Sequence, residues 1–412
     1  MKNQYTPIAV TRREFLRGSM GGLGLVAFSG FAPSFLTSTA RADVARPETG
    51  RQILVMIQLA GGNDGLNTCI PFQDDMYYNL RPDLGIKEGY RPISDFLALH
   101  PNCAGMERLY KDGNLSIIQN VGYPNPNRSH FRSTEIWETA TDSDIIGRDG
   151  WLGRYFDNAC DGDGHTSSDP MALHISDDTP GHFMSEKPHS IFGMPARGRI
   201  RKKNEDELAL LEKLTQAPSA SDTGSYLQHM MMDAIVTEKR VQNIVDRYKP
   251  QAKYQGNLGQ SLQKVAAMIA AGLETRVYFV AQGGYDTHAN QANGHSQRLG
   301  ELSNALHAFQ QDLIKHKLDD QVLTVVFSEF GRRPQQNGSQ GTDHGAAAPL
   351  FVMGRNLQTP LLGEVPDLQN LQNNDLRHEY DFRQVYASVI QDWFKADPSL
   401  VLDGQFDTLP II

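Results

Sequence analysis

The sequence predicts an α/β fold, with a mostly parallel sheet covered by helices on both faces. Short apolar runs alternate along the chain with segments of helical periodicity. Uninterrupted apolar runs are typical of strands buried on both faces, and their alternation with helices favours parallel connections. A polar cluster also follows four of these runs within a few residues. The runs that predict strands are residues 53–59, 115–121, 275–281, 322–327 and 350–353.

Helices are predicted most clearly in the second half of the chain. Apolar residues recur at three- and four-residue steps from Leu299 to Leu313, which predicts a helix with one buried stripe. Asp381 is a suitable N-cap for a last helix, whose apolar side chains begin at Val385. Helices of this kind are the elements expected to cover the sheet.

The beginning of the chain predicts export. The paired Arg12 and Arg13 are followed by a glycine-rich apolar stretch and by a small-x-small cleavage pattern that ends at Ala42. Together these parts are typical of a twin-arginine signal peptide. A short membrane helix is the alternative, but glycine and serine dilute the stretch, and a span needs roughly 20 apolar residues. The expected division is a signal peptide at 1–42 and one exported domain at 43–412, in the periplasm or otherwise outside the cytoplasm, without a membrane span.

The composition narrows the class of partner. The chain has 48 acidic and 39 basic residues, a formal net charge of -9. This charge argues against nucleic acid, which normally requires a basic face. Cys69, Cys103 and Cys160 lie far apart without a CxxC pair, so a zinc site built from cysteines is not expected. The pairing of these cysteines and the oligomeric state stay open at the level of sequence.

The first two polar clusters follow the strands predicted at 53–59 and 115–121. Asp64, in the stretch GGNDGLNT, is a candidate metal ligand, although Asn-Asp-Gly is equally a turn signature. Ser129, His130 and Arg132 lie where a helix begins, so a hydroxyl there would stand among free backbone N–H groups. An ordinary serine N-cap is the alternative for Ser129.

The third and fourth clusters follow the strands predicted at 275–281 and 322–327. Asp286 and His288 supply a carboxylate and an imidazole two residues apart, a combination suited to zinc or manganese. Glu329 and His344 flank a long loop between two apolar strands. Solvated loops and pairing of Glu329 with the neighbouring arginines are the alternatives. Because ligands bind at the carboxyl ends of strands in open α/β sheets, the four clusters are expected to converge.

The motifs taken together resemble a known family. The stretches GGNDGLNT, SHFRS, YDTHANQ, SEFGRR and GTDHG occur in this order in a bacterial family called domain of unknown function 1501. That family is grouped with the alkaline phosphatase and sulfatase superfamily. The resemblance covers essentially the whole mature chain and implies an alkaline-phosphatase-like domain with two divalent metals beneath a nucleophilic hydroxyl. The residues it implies are Ser129, His130 and Arg132 for catalysis, and Asp64, Asp286, His288, Glu329 and His344 for metal.

The resemblance implies an exported, metal-dependent hydrolase of phosphate or sulfate esters. Its substrate would be a small-molecule or glycan ester, attacked by Ser129 or by water. The expected cofactor is a divalent metal, zinc or manganese first, with calcium or magnesium as further options. A non-catalytic exported binding protein that keeps the fold, for an anionic glycan or an operon partner, is the alternative. The resemblance implies that most relatives carry adjacent aspartate and histidine at the position of Glu329, so the second metal half-site is incomplete here, which keeps the alternative open.

Overall fold

The computed structural model describes residues 51–159, 169–195 and 222–412, without the side chains of 159 and 222–233. The predicted signal peptide and Cys160 lie outside the described residues. Contacts divide the chain into two compact units, 1–45 with 199–243, and 46–198 with 244–412. In the first unit, the described part is helical. Among the described helices, none has the length and apolarity needed to span a membrane.

The described elements alternate between strands and helices along the chain. The strands are β1 (Ile53–Ala60), β2 (Cys69–Ile70), β3 (Arg91–Pro92), β4 (Ala98–Leu99), β5 (Leu115–Gly122), β6 (Ala172–Ile175), β7 (Ile191–Met194), β8 (Val277–Gly283), β9 (Val322–Phe327), β10 (Arg332–Gln336), β11 (Thr342–His344), β12 (Ala348–Met353), β13 (Leu361–Leu362) and β14 (Tyr380–Asp381). The helices are α1 (Gly65–Thr68), α2 (Asp75–Leu80), α3 (Ala104–Lys111), α4 (His130–Thr139), α5 (Trp151–Ala159), α6 (Asp222–Arg247), α7 (Gly256–Ala270), α8 (Gln291–His316) and α9 (Phe382–Ser388).

A nine-stranded sheet forms the centre of the second unit. Its order is β13-β5-β12-β9-β1-β8-β6-β7, and β14 also pairs with β5. The pairs made by β1, β8, β6 and β7 are parallel, as is β1 with β9. The exception is β12, which runs antiparallel between β5 and β9. The predicted α/β fold with a mostly parallel sheet is therefore confirmed.

The predicted strand positions agree closely with the observed ones. Strands β1, β5 and β9 begin at the predicted residues, because each of these runs is buried from its first residue onward, apart from two half-buried positions near the end of β1. Strand β8 begins two residues later than predicted, at the Val277 pairing with Leu54. Thr275 instead donates its hydroxyl to the Pro170 carbonyl, 2.7 Å away. The direction of β12 could not be predicted, since an apolar run carries no information about its orientation.

Helices α4, α5 and α9 pack against one face of the sheet. Trp137 of α4 stacks on Phe327 at the end of β9 and on Phe382 of α9, with ring centroids 5.1 and 4.3 Å apart. Asp381 caps α9 with a full capping box that includes Gln384, which confirms the predicted start of this helix. Stacked buried aromatic rings fix the position of α4 firmly, and α4 begins at a candidate site residue.

The carboxyl ends of the central strands meet at one edge of the sheet. Strands β1, β8 and β9 are parallel to one another, and β5 has the same direction because β12 is antiparallel to both β5 and β9. The antiparallel β12 starts at this same edge, directly after β11. All four polar clusters of the sequence therefore follow strands that end on one side.

The predicted stripe on the long helix is also confirmed. Helix α8 buries every residue of the stripe from Leu299 to Leu313. It packs on α7 and α3, and α7 in turn packs on β8. Cys69 and Cys103 are buried as free thiols, so these two cysteines form no disulfide with each other.

Candidate functional site

Three side chains from different clusters come together at this edge. His130 opens α4, Asp286 follows β8, and His344 ends β11. Each offers one atom that can bind a metal, and these atoms lie within 4.8 Å of one another. Residues distant in sequence are thus joined by the parallel arrangement of the strands.

The ring of His344 is held in one tautomer. Its Nδ1 lies 2.7 Å from the carbonyl oxygen of Arg128. A carbonyl oxygen only accepts, so Nδ1 carries the hydrogen and Nε2 of the neutral ring is an unprotonated acceptor. This Nε2 lies 3.1 Å from Oδ1 of Asp286.

His130 is held in the same way by a carboxylate. Its Nδ1 lies 2.9 Å from Oε1 of Glu329, a side chain that is 3% exposed. The hydrogen bond to Glu329 raises the pKa of His130 above its usual value. The other nitrogen, Nε2, is buried without a hydrogen-bond partner and lies 3.4 Å from Oδ2 of Asp286.

His288 adds a third imidazole to the group. Its Nε2 lies 3.0 Å from Oδ1 of Asp286 and 2.9 Å from Nε2 of His344. Its Nδ1 lies 3.4 Å from a carboxylate oxygen of Asp343. The structure therefore brings together four predicted site residues: Asp286, His288 and His344, which were predicted as metal ligands, and His130, which was predicted as a catalytic residue.

Acceptor atoms face each other at the centre of this group. With hydrogens on the Nδ1 atoms of His130 and His344, the Nε2 atoms of these two rings and the Asp286 carboxylate present lone pairs to one another. Such pairs repel at these distances unless a proton or a metal cation lies between them. Zinc–nitrogen bonds of about 2.0–2.1 Å in a tetrahedron place neighbouring ligand atoms about 3.3 Å apart. The Nε2 atoms of His344 and His130 lie 3.1 and 3.4 Å from the oxygens of Asp286, close to this spacing.

Asp286 is kept ionised by a buried arginine. Nη2 of Arg332, whose side chain is 0% exposed, donates to Oδ1 of Asp286 at 2.7 Å. Partial burial acts to raise the pKa of Asp286, but the hydrogen bond and the positive charge of Arg332 oppose it, and the pKa falls to about 2. Arg332 also donates to the carbonyl oxygens of Gly62 and Thr342, at 2.8 and 2.7 Å. One guanidinium thus connects the loops after β1 and β8 with β11.

Close approach of two loops explains a glycine in the first motif. Gly61 has a φ of +120°, a conformation that residues with a Cβ rarely adopt. A Cβ on Gly61 would lie 2.3 Å from the backbone nitrogen of Asp286. Any other residue would therefore push the loop after β1 away from the loop that carries Asp286.

Glu329 lies beside the group with its oxygen already engaged. Its Oε1 accepts from the backbone N–H of Gly61 at 2.8 Å as well as from His130. Its own carbonyl accepts a hydrogen bond from the Ser133 hydroxyl. The atoms within 4.8 Å of one another do not include a Glu329 oxygen.

Asp64 lies at the same edge but in a separate buried network. Nη1 of Arg81 donates to its Oδ2 at 2.6 Å, and both side chains are 0% exposed. Gln291 donates to the same oxygen, and Asp64 caps α1 through the backbone N–H of Asn67. Burial acts to raise the pKa of Asp64, but Arg81 outweighs it and lowers the pKa. Gln291 accepts from Thr342 at 2.6 Å, which joins this network to the strand that carries His344.

Ser129 and Arg132 differ from His130 in their surroundings. Ser129 is exposed at the N-cap position of α4, yet its hydroxyl makes no capping hydrogen bond. Arg132 donates to the carbonyl of Ser143 at 3.0 Å and pairs with Glu135 at 2.9 Å. The hydroxyl is therefore free of the capping role, whereas the guanidinium holds the loop after α4.

Two arginines of the site were not predicted as site residues. Arg81 and Arg332 are both buried and both bind an aspartate of a predicted cluster. The motif SEFGRR contains Arg332, but nothing local distinguishes it from Arg333. Arg81 carries no motif signal at all, because its partners come from the segment that follows β1 and from the segment near Pro334.

The comparisons with known proteins identify the family. The family described as Protein of unknown function (DUF1501) matches residues 51–396. The chain belongs to the DUF1501 family. No curated protein sequence matches the chain.

Several solved structures are loosely similar to this DUF1501 protein. One is the C-terminal periplasmic domain of EcEptC from Escherichia coli in complex with Zn, at 11% identity and a TM-score of 0.36, covering 89% of this chain and 94% of that one. The PsFucS1 sulfatase from Pseudoalteromonas sp. has 9% identity and a TM-score of 0.36, with coverages of 90% and 72%. A protein in the alkaline phosphatase superfamily from Vibrio parahaemolyticus has 8% identity and a TM-score of 0.33, with coverages of 77% and 63%.

Proposed function

We propose that this DUF1501 protein hydrolyses phosphate or sulfate esters at a divalent metal centre. The observation that carries the proposal is the set of lone pairs turned toward one another by His130, Asp286 and His344, with His288 beside them. Side chains that would repel in the absence of a cation, and whose outer nitrogens are already hydrogen bonded, are typical of metal ligands. Imidazole and carboxylate donors suit zinc or manganese among the divalent metals.

The residues around the centre have distinct tasks in this proposal. His130, Asp286 and His344 would hold the metal, and His288 would complete the set. A divalent metal bound there would polarise an ester oxygen and stabilise the negative charge that develops during hydrolysis. Arg332 keeps Asp286 ionised and fixes the orientation of its carboxylate.

Ser129 is the proposed attacking group, with water as the alternative. Its hydroxyl is exposed at the start of α4 and makes no capping hydrogen bond. The first backbone N–H groups of a helix favour negative charge, so an ester anion bound there would lie against donors. Ser129 directly precedes His130, and the preceding Arg128 carbonyl binds His344. These connections support placing the hydroxyl next to the metal ligands.

Metal analysis combined with turnover tests this function. We expect wild-type chain to bind divalent metal and to hydrolyse an activated aryl phosphate or sulfate, and His344→Ala to lose both. His307→Ala is a matched control, because His307 lies on α8 and is not a member of the group that could hold a metal. Ser129→Ala is expected to lose turnover by several orders of magnitude while its metal content stays that of the wild type. A wild-type chain that binds no metal and hydrolyses no ester would instead support the binding protein.

Export through the twin-arginine route is part of the same proposal. It rests on the paired arginines at 12 and 13 and on the cleavage pattern that ends at Ala42. N-terminal sequencing of the exported protein is expected to begin at Asp43. Replacing both arginines with lysine is expected to retain the precursor in the cytoplasm, and efficient export of that variant would contradict the route.

A further inference from the structure

We infer that Glu329 is a positioning residue for the metal centre. Its carboxylate holds the hydrogen of His130 on Nδ1, so that the Nε2 lone pair faces Asp286 and His344. This inference rests on the proposed metal centre. It gives Glu329 a different task from that of a ligand, since its oxygen would act on the metal only through the imidazole.

The contacts of Glu329 are those of an acceptor. Its Oε1 receives the Gly61 backbone N–H at 2.8 Å and faces His130 Nδ1 at 2.9 Å. The Ser328 hydroxyl lies 3.4 Å from the other oxygen, Oε2. A carboxylate buried to this degree needs donors to offset its lost hydration, and an ionised carboxylate can only accept. Nδ1 of His130 must therefore be the donor.

The consequence appears on the other side of the ring. Nε2 of His130 is buried without a hydrogen-bond partner and lies 3.4 Å from Asp286. In a neutral imidazole with its hydrogen on Nδ1, Nε2 is an acceptor that no hydrogen-bond donor faces. Without Glu329, the hydrogen could move to Nε2 and donate to Asp286, which would block the lone pair that a metal requires.

An acceptor also lies near Nδ1 of each of the other two histidines: a backbone carbonyl for His344 and a carboxylate for His288. The Arg128 carbonyl fixes His344, and Arg128 itself is paired at 2.7 Å with Asp375, which is 2% exposed. Asp343, by contrast, is 57% exposed and lies 3.4 Å from His288. Of the two carboxylates that face a histidine Nδ1, Glu329 is buried and Asp343 is exposed. Removing Glu329 is therefore expected to lower metal affinity more than removing Asp343.

Two variants separate positioning from ligation. Glu329→Gln keeps an oxygen that can accept from His130, whereas Glu329→Met keeps the length of the side chain but offers no comparable acceptor. We expect the zinc affinity of the full chain, measured by competition with a chelator, to fall about 10- to 100-fold in Glu329→Met. In Glu329→Gln the loss is expected to be much smaller. Equal losses in both variants would make Glu329 a ligand and overturn the inference.

The control is another carboxylate on the helix that His130 opens. Glu138 accepts the Gly181 backbone N–H at 2.7 Å and is not a member of the metal group. Glu138→Gln and Glu138→Met are expected to change stability while the zinc affinity stays at the wild-type value. A loss of zinc affinity in the Glu138 pair like that in the Glu329 pair would show a general effect of carboxylate removal and overturn the inference.

The tautomer itself is measured on metal-free protein. Nitrogen-15 NMR, at a pH where the imidazoles are neutral, is expected to show the His130 hydrogen on Nδ1 in wild type and Glu329→Gln, and a shift toward Nε2 in Glu329→Met. A wild-type His130 with its hydrogen on Nε2 would overturn the inference even where zinc binds well. A wild type that binds no zinc but shows the Nδ1 tautomer would overturn the proposed metal function while the role of Glu329 toward His130 stands.

Discussion

Two aspartates follow parallel strands at the same edge of the sheet, and their surroundings are opposite. Asp64, after β1, is fully buried, and its carboxylate accepts from Arg81 and Gln291. Asp286, after β8, is 49% exposed, and its carboxylate faces histidine nitrogens as well as Arg332. The position after a strand brings both to the edge, but the neighbours decide what each can do.

The two aspartates differ in the carboxylate lone pairs that hydrogen-bond donors leave free. Donors already occupy Oδ2 of Asp64, and Arg81 supplies the positive charge that a buried carboxylate requires. Asp286 still presents Oδ2 toward His130, and His130 has no hydrogen-bond partner for its Nε2. An aspartate enclosed by donors stabilises the fold, whereas one that faces other acceptors is suited to bind a cation.

The largest expected effect comes from replacing the exposed aspartate. Asp286→Asn removes a charged ligand, so zinc affinity is expected to fall by more than about 100-fold, beyond what loss of a supporting hydrogen bond costs. The loss of stability should be smaller than in the variant of the buried aspartate, because the Asp286 carboxylate is half exposed and solvent screens its pairing with Arg332. Chelator competition and thermal unfolding on one sample measure both. Unchanged zinc affinity would contradict the distinction between the two aspartates.

Replacing the buried aspartate is expected to have the reverse profile. Asp64→Asn leaves Arg81 buried without its counter-charge, which costs about 3–5 kcal/mol of unfolding free energy. The zinc affinity of the folded fraction should equal that of the wild type, since Asp64 lies outside the group of His130, Asp286 and His344. Urea unfolding measures the first quantity. If stability were kept and zinc lost, Asp64 would belong to the metal centre.

Glu138 extends the comparison to a third carboxylate, whose hydrogen-bond donor is a backbone N–H, whereas the donors to Asp64 and Asp286 include an arginine. Burial is the main cause that raises its pKa from 4.5 to about 7, and the Gly181 hydrogen bond opposes it. The folded protein therefore binds this proton more tightly than the unfolded chain, so stability is expected to fall as pH rises from about 4.5 to about 7. Glu138→Gln should remove this slope and be about 1–3 kcal/mol more stable than the wild type at higher pH.

Unfolding free energy measured at several pH values checks this smallest effect. The wild-type and Glu138→Gln curves are expected to converge near pH 4.5 and to separate above it. Parallel curves would show that the carboxylate is solvated or paired, and that partners other than arginine can offset its burial.

Much of this architecture could be predicted from local patterns. The apolar runs predicted the first residues of β1, β5 and β9, since a strand buried on both faces is apolar along most of its length. Asp381 marked the start of α9, because an N-cap requires a specific side chain next to the helix. The polar clusters after the strands marked the edge at which the site lies.

The role of each site residue could not be predicted in this way. His130 and Glu329 are 199 residues apart, and the contact between their side chains fixes the tautomer of His130. His344 and Arg128 are 216 residues apart, and a backbone carbonyl, which every residue possesses, fixes the other ring. The spacing of residues along the sequence does not predict such contacts.

The sequence by itself determined the fold class, the edge where chemistry gathers, and the residue types present there, because burial and periodicity are local properties of a chain. Only the tertiary structure decided that Asp64 is enclosed by donors, that Glu329 holds a histidine, and that Asp286 keeps a free lone pair. The physical reason is that an oxygen or nitrogen binds a cation only where hydrogen-bond donors have left it a lone pair. In this protein the partners that set these lone pairs are the Glu329 carboxylate, the Arg128 carbonyl and the Gln291 amide, and they lie 199, 216 and 227 residues away in sequence.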